Sequence, residues 1–229
     1  MISLVSLHWK RTTNTHLIIS SLQDHPLVSE VIVWNNNPET HLRCGDGIRV
    51  VNSSEDFGLN TRFASALLAV NDCILTVDDD ILPDLTTVDS LFQYWKNEPE
   101  VLHTLHGRRP TEENEYCENV NGQPFWASPQ YAEADMSLTR CTMYHKQHAV
   151  RYFDLQSKVR ENRGHSTLHN GEDIILSYIA RSVSGKMNRV YDLPNAELAA
   201  PHSIHLRAGH KEFRTDLMRR CQRFFGFHS

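Results

Sequence analysis

Residues 74–80 read ILTVDDD, in which four apolar or β-branched residues lead directly into three adjacent carboxylates. A short apolar run of this kind is typical of a strand that is buried on both faces of a sheet. Pro83 follows closely and favours a turn. The pattern therefore predicts a buried strand over Cys73–Val77, with the three carboxylates at its carboxyl end.

Segments before this strand alternate between short β-rich runs and runs of helical periodicity. Strands are predicted over residues 2–7, 31–34 and 48–51, and helices over residues 13–22 and 60–70. The second helix would begin at Asn60 as its N-cap. Its apolar stripe, spaced at i, i+3, i+4 and i+7, consists of Phe63, Ala66, Leu67 and Val70. This alternation predicts an α/β fold with a mostly parallel central sheet flanked by helices.

Beyond residue 100 the pattern is less regular. Strands are predicted over residues 101–106 and 136–144, and a helix over residues 172–182 with Gly185 just past its end. Residues 107–131 are polar and predict a long loop, which in a compact domain is usually functional or mobile.

Composition limits the class of protein. The 229 residues carry a net charge of −5, which argues against a nucleic-acid partner. The five cysteines are far apart and never form a C-x-x-C pair, so neither a zinc module nor a disulfide framework is expected. No window approaches the about 18 apolar residues of a membrane span. The composition marks no linker, so a single domain over residues 1–229 is predicted, with halves at 1–100 and 101–229.

A strand-like run begins at Ile2 and leaves no room for a cleaved signal peptide before it. This predicts either a cytoplasmic protein or a catalytic domain cut from a longer anchored chain of the Golgi or endoplasmic reticulum lumen.

Two polar clusters follow predicted strands. Asparagines occupy residues 35–37, and aspartates occupy residues 78–80. Ligands of open α/β sheets bind outside the carboxyl ends of the strands, so both clusters are expected to face one crevice. A D-x-D spacing in an extended chain points its first and third side chains to the same side. A Mg²⁺ or Mn²⁺ ion shared with ligand phosphates would relieve the carboxylate repulsion. A solvated turn, which aspartate also suits, is the alternative.

Five stretches together resemble the exostosin-like glycosyltransferases, known as glycosyltransferase family 64. They are EVIVWNN at 30–36, LNTRF at 59–63, ILTVDDD at 74–80, GEDI at 171–174 and HLRAGH at 205–210. The resemblance spans residues 2–225, although the loops between 107 and 165 do not align clearly.

This resemblance implies a glycosyltransferase-A fold whose N-terminal half, residues 1–100, binds the nucleotide sugar. Residues 101–229 would form the acceptor and catalytic half. The implied activity is metal-dependent transfer of a sugar, most often an N-acetylhexosamine, from a UDP-sugar to a carbohydrate or glycolipid acceptor, with retention of the anomeric configuration.

The resemblance also implies roles for individual residues. Asp80 would bind Mn²⁺ or Mg²⁺ that bridges the diphosphate, with Asp78 beside it and towards the ribose. Asp79 would face the sugar or help to hold the site. The remaining donor contacts it implies are Arg11, Arg62 and one of the adjacent pair Asn35 and Asn36.

Catalysis of such a transfer needs two kinds of group. Negative charge grows on the diphosphate as the glycosidic bond breaks, so a cation and arginines placed there stabilise the transition state. Arg207 is predicted to contact the diphosphate or the donor sugar. A carboxylate on the reacting face could steady an oxocarbenium-like centre, take the acceptor's proton or attack the anomeric carbon. Asp173 is the first candidate for this role and Glu172 the second.

Alternatives remain open at this point. Retention could proceed by front-face return or through a covalent intermediate. An enzyme of the same fold could invert instead, with Asp173 or Glu172 as general base. A third hypothesis is a domain that binds nucleotide sugars without turnover. The chain also departs from the family at Arg140 and Cys141, where Gly-Ala is usual, so the floor of the acceptor or sugar pocket is expected to differ.

Overall fold

The computed structural model describes residues 1–116, 131–160, 170–200 and 209–227. The strands in chain order are β1 (Ile2–His8), β2 (Val28–Asn35), β3 (Ile48–Asn52), β4 (Cys73–Val77), β5 (Ile81–Pro83), β6 (His103–Thr104), β7 (Gly107–Arg108), β8 (Ala132–Ala134), β9 (Met136–Ser137), β10 (Cys141–His145), β11 (Asn188–Val190) and β12 (Asn195–Glu197). The helices are α1 (Thr12–Leu22), α2 (Thr61–Leu68), α3 (Leu85–Asn97), α4 (Lys146–Arg160), α5 (Glu172–Ser184) and α6 (His210–Phe225).

Eight of these strands form one sheet in the order β3-β2-β1-β4-β10-β6-β11-β8. The first four strands run parallel, and β10 is antiparallel to both of its neighbours, β4 and β6. The order reverses at β1, which has β2 on one side and β4 on the other. Open α/β sheets bind their ligands at such a reversal, outside the carboxyl ends of the strands. A ligand site is therefore expected at the carboxyl ends of β1 and β4.

Helices cover both faces of the sheet, and each face has its own apolar core. Alternate residues of a strand point to opposite faces. Thus Ile74 of β4 packs with Phe63, Tyr144 and Tyr152 on the face covered by α2, α4, α5 and α6. Leu75, its neighbour in β4, packs on the opposite face with residues of α1 and α3. The α/β class with a mostly parallel central sheet is confirmed.

The N-terminal half follows the predictions closely. The four predicted strands form, and β4 covers Cys73–Val77 as predicted. The second predicted helix is shorter than expected, because Ala69 turns to extended backbone and ends α2 at Leu68. Leu67 and Val70 are exposed, so the predicted stripe holds only for its first half. Asn60 stands at the N-cap position, but its side chain makes no capping hydrogen bond.

The C-terminal half differs more. The single strand predicted over residues 136–144 is instead β9 and β10, which lie in different sheets. The helix at 172–182 is confirmed as α5, with Gly185 in the left-handed conformation at its C-cap. Two helices, α4 and α6, were not predicted, because their charged residues obscure the apolar stripe. The division into halves at residue 100 stays a prediction.

Within the described ranges, none of the helices is long and apolar enough to cross a bilayer. The thiols of Cys73, Cys141 and Cys221 are free and buried, as small core residues would be.

Buried histidines should make the stability of the fold depend on pH. Burial is the main cause that lowers the pKa of His8, His103, His106 and His148 to about 4. Between pH 6.5 and 4 the unfolded chain therefore binds more protons than the folded protein. The free energy of unfolding is expected to fall as pH drops through this window, by up to about 1.4 kcal/mol per pH unit for each histidine.

Urea denaturation at pH 7.5, 6 and 5 measures this dependence. His148→Gln keeps a donor for the carbonyl of Glu100, which the His148 ring contacts at 3.0 Å. In this variant, the slope of the free energy of unfolding against pH is expected to be smaller by the contribution of one histidine, up to about 1.4 kcal/mol per pH unit. The matched control is His41→Gln, at an exposed position, which should leave the slope unchanged. Equal slopes in the wild type and His148→Gln would contradict the prediction.

Candidate active site

Three arginines from different elements neutralise the three aspartates that follow β4. Each carboxylate has its own arginine, whose positive charge offsets part of the repulsion among the three. The ion pairs are Arg62 Nη1 to Asp78 Oδ1 at 2.6 Å, Arg11 Nη1 to Asp79 Oδ1 at 2.5 Å, and Arg140 Nε to Asp80 Oδ1 at 3.0 Å. Arg11 is the N-cap residue of α1 and lies three residues beyond the end of β1, so the second of these pairs lies at the reversal of strand order.

Arg62 connects the two halves of the chain. It lies in the first turn of α2 and is 2% exposed. Besides Asp78, it donates to Thr139 Oγ1 at 2.6 Å, and its Nη2 lies 3.5 Å from Glu172 Oε1. Burial alone would lower the pKa of Arg62, but Asp78 and Glu172 raise it above its ordinary value. The guanidinium is therefore charged and joins the end of β4 to the start of α5.

Helix α5 begins with the acidic pair predicted to be catalytic. Gly171, its N-cap, has φ +77°, and a Cβ there would lie 2.3 Å from Leu217 Cδ2 of α6. A glycine is thus required for α5 to start this close to α6. The helix N-terminus favours negative charge in its first turn, where Glu172 and Asp173 stand. The backbone turn at Gly171 therefore places both carboxylates in the first turn of α5, with Glu172 beside Arg62.

Asp173 is anchored by a residue that the sequence analysis missed. Arg214 of α6, 5% exposed, donates from Nη2 to Asp173 Oδ2 at 2.5 Å and from Nη1 to Asn170 Oδ1 at 2.9 Å. The other carboxylate oxygen of Asp173 accepts from the amide of Ile174 at 3.0 Å. Both oxygens are engaged, so the carboxylate has one fixed orientation. Arg214 gave no sequence signal, since α6 carries several arginines and its buried face was not recognised.

Burial perturbs the carboxylates on either side of Arg62. It raises the pKa of Asp78 to about 7, although Arg62 acts in the opposite direction. It also raises the pKa of Glu172, again against the effect of Arg62. Glu172 Oε2 is buried and makes no hydrogen bond with the described residues. The same buried guanidinium, that of Arg62, therefore compensates the negative charge of both Asp78 and Glu172.

The adjacent asparagines at the end of β2 make different contacts. Asn35 donates to Asn52 Oδ1 at 2.9 Å and to the carbonyl of Thr40 at 2.7 Å, while its Oδ1 accepts from the amide of Asn37 at 2.9 Å. Asn36 donates at 2.9 Å to the carbonyl of Gly58, but its Oδ1 is buried without a hydrogen bond to any described residue. Contact of either residue with a nucleotide base stays a prediction. Of the two side-chain oxygens, only that of Asn36 accepts no hydrogen bond from the described residues.

The described residues supply only part of the ligand set of a divalent cation. In the described ranges, no group of three or more His, Cys, Asp or Glu side chains is arranged to hold a metal ion. The side chains of Asp78 and Asp80 are 23% and 21% exposed, and their ion pairs use Oδ1 in each case. Mg²⁺ and Mn²⁺ sites often consist of one or two carboxylates completed by substrate phosphates. The donor set fits a cation that arrives with a diphosphate.

The predicted site residues thus fall into two groups. Arg11, Arg62, Asp78, Asp79 and Asp80 lie together beyond the ends of β1 and β4, and Arg62 links them to Glu172. Asp173, the neighbour of Glu172 in the chain, pairs with Arg214 instead. Arg207 lies outside the described residues, so its contact with the diphosphate stays a prediction.

Comparison with known families agrees with this geometry. The model of the glycosyl transferase family 64 domain matches residues 2–229 of the chain. The chain belongs to glycosyl transferase family 64. The residues that carried the resemblance in the sequence are therefore residues of a glycosyltransferase, and the cluster around Arg62 is its candidate active site.

Curated relatives of this family 64 glycosyltransferase are distant. It is 23% identical to glycosylinositol phosphorylceramide mannosyl transferase 1 of Arabidopsis thaliana over an alignment of 181 residues. This alignment covers 76% of the chain and 52% of the relative. It is 22% identical over 172 residues to exostosin-1 of Pongo abelii, covering 73% of the chain and 22% of the relative. The family 64 chain therefore spans about half, or less, of the curated relatives it matches.

Proposed function

We propose that this chain is a metal-dependent, retaining glycosyltransferase of the glycosyltransferase-A type that uses a nucleotide diphosphate sugar. The observation that carries the proposal is the buried contact of Arg62 with both Asp78 and Glu172, at 2.6 and 3.5 Å. It joins a polar cluster at the reversal of strand order, where nucleotides bind in α/β sheets, to the acidic pair at the start of α5. A donor and a reacting carboxylate could meet there.

In this proposal the residues have three roles, which are contact with the diphosphate, binding of the cation and contact with the reacting centre. Arg11 and Arg62 would turn from their aspartates towards the diphosphate and stabilise its growing negative charge. Asp80, with Asp78, would hold a Mn²⁺ or Mg²⁺ ion, which when bound supplies Lewis-acid stabilisation of the leaving group. Asp173, held by Arg214, would face the anomeric centre, with Glu172 as the second candidate.

Two donors are considered. A UDP-N-acetylhexosamine follows from the resemblance of the sequence to the exostosin-like enzymes. A mannosyl donor is the second candidate, because the Arabidopsis relative is named a mannosyl transferase. The same name supports a glycolipid acceptor. A carbohydrate acceptor is the alternative implied by the resemblance of the sequence to the exostosin-like enzymes.

Thermal unfolding with UDP, GDP and their sugars, each with Mn²⁺ or with EDTA, tests the donor and the cation together. A ligand at 100 times its dissociation constant stabilises the folded state by about 2.7 kcal/mol. We expect the nucleotide of the true donor to raise the midpoint only when Mn²⁺ is present. Asp80→Asn should remove the Mn²⁺-dependent part of this shift. Asp84→Asn, at the exposed N-cap of α3, is the control and should retain it.

The outcomes separate the hypotheses. A shift that EDTA leaves unchanged would show that the cation role of Asp80 is wrong. Nucleotide binding without hydrolysis or transfer of any donor would favour a binding domain without turnover. For an active enzyme, NMR of the anomeric proton in the product distinguishes retention from inversion.

A further inference from the structure

Arg140 is the one arginine of the acidic cluster that has no part in the proposed function. It precedes β10, and its side chain is 23% exposed. Its Nε lies 3.0 Å from Asp80 Oδ1, and its Nη2 donates to the backbone carbonyl of Asp80 at 3.3 Å. The same guanidinium donates to Glu197, at 2.5 Å to Oε2 and at 3.1 Å to Oε1. Arg140 is therefore clamped between two carboxylates.

Glu197 is held in place by the backbone rather than by its side chain. It belongs to β12, which pairs antiparallel with β5, and Glu197 is opposite Ile81. The pairing continues to the acidic cluster, where the amide of Leu198 donates to the carbonyl of Asp80 at 2.9 Å. Glu197 thus stays beside Asp80 whether or not Arg140 contacts Asp80.

Arg140 also provides the positive charge nearest to Asp80. The neighbouring ring of His106 is neutral near pH 7, because burial and then Arg140 lower its pKa to about 4. The guanidinium of Arg140 is charged, because arginine remains protonated in proteins at every ordinary pH. A divalent cation that approaches Asp80 would therefore meet a charge of the same sign on Arg140, whose Nε lies 3.0 Å from Asp80 Oδ1.

We propose that Arg140 is an internal competitor for the divalent cation at Asp80. Binding of the cation requires the guanidinium to leave Asp80 Oδ1, and Glu197 retains it next to the site. Arg140 then sets how much Mn²⁺ or Mg²⁺ the protein needs and couples cation binding to the arrival of the diphosphate. This inference rests on the proposed function, because it assumes that Asp80 is a cation ligand. Arg140 is a positioning residue here, not a catalytic one.

Titration of Mn²⁺ into the protein with a fixed concentration of UDP or GDP, whichever stabilises the wild type in thermal unfolding, measures this directly when free Mn²⁺ is followed by electron paramagnetic resonance, and it needs no turnover. Loss of the competing charge in Arg140→Gln is expected to tighten Mn²⁺ binding about tenfold. Arg140→Lys keeps the charge and should stay within about threefold of the wild type. If Arg140→Gln binds Mn²⁺ no more tightly than the wild type, the inference is overturned.

A matched control is Arg189→Gln. Arg189 also contacts two glutamates, Glu98 and Glu133, but it lies on β11, which β10 and β6 separate from β4. Its replacement should leave Mn²⁺ affinity unchanged. The double variant Asp80→Asn/Arg140→Gln should show no gain over Asp80→Asn alone, because the gain must act through the Asp80 carboxylate. A gain that persists in the double variant would contradict the mechanism.

Equilibrium dialysis of the same nucleotide, labelled, separates the two possible failures. Equal Mn²⁺ binding by the wild type and Arg140→Gln, with the nucleotide bound, would overturn only this inference and leave the cation proposal intact. Nucleotide binding with no Mn²⁺ binding by either protein would instead remove Asp80 as a cation ligand, and the role of Arg140 with it. Thermal unfolding of each variant checks that the protein is still folded.

Discussion

Asp173→Asn is expected to lower the rate of sugar transfer by about 10²–10⁴-fold, the range found when a positioned acid or base is removed. An asparagine has nearly the same shape, but it carries no negative charge to steady an oxocarbenium-like centre and cannot accept the acceptor's proton. The rate is measured as transfer or, without an acceptor, as hydrolysis of the donor selected by thermal unfolding. Glu172→Gln, tested in parallel, is expected to lose less.

Stability must be separated from chemistry in this test. Asp173→Asn leaves the buried cation of Arg214 without its ion-pair partner, which destabilises the fold as well. The double variant Asp173→Asn/Arg214→Gln removes both charges and should regain stability while staying inactive. Asp216→Asn, at an exposed carboxylate of α6 that pairs with Arg220, is the matched control and should keep full activity. Full activity in Asp173→Asn with loss in Glu172→Gln would reverse the assignment of the two carboxylates.

Arg62→Gln is expected to lower the free energy of unfolding by about 3–5 kcal/mol, as for other buried ion pairs that lose one partner. The guanidinium side chain is 3% exposed and faces two carboxylates, Asp78 and Glu172, from different halves of the chain. Glutamine can hydrogen bond to one of them but cannot neutralise either. Urea denaturation at pH 7.5 gives the free energy, and the same protein should bind the nucleotide more weakly.

Arg49→Gln provides the control for this loss. Arg49 also pairs with a glutamate, Glu30 at 3.6 Å, but its side chain is 50% exposed. Its replacement should change stability by less than about 1 kcal/mol, the usual limit for exposed pairs. Adding Asp78→Asn to Arg62→Gln should recover part of the loss, because one uncompensated charge disappears. If Arg62→Gln lowers the free energy of unfolding no more than Arg49→Gln does, solvent reaches the carboxylates of Asp78 and Glu172. In that case Arg62 does not hold the two halves of the chain together.

The order of strands and helices in the N-terminal half was predictable because local patterns decide it. The apolar run of β4 and the polar residues that end it are visible in any reading of residues 73–80. The C-terminal half was less predictable, since α4 and α6 bury narrow faces between charged residues. The end of α2 at Leu68 was missed for a similar reason, as the apolar Val70 that extended the predicted helix is exposed.

The sequence by itself determined the α/β class and the family, because the class depends on local periodicity and the family on short motifs in a given order along the chain. Only the tertiary structure decided how the charges combine. Asp80 and Arg140 are 60 residues apart, and Asp173 and Arg214 are 41 residues apart. Such pairs form only when the sheet and helix packing bring distant side chains within a few ångströms. For this reason the three adjacent aspartates, which looked like a local repulsion, are separate ion pairs in the folded protein.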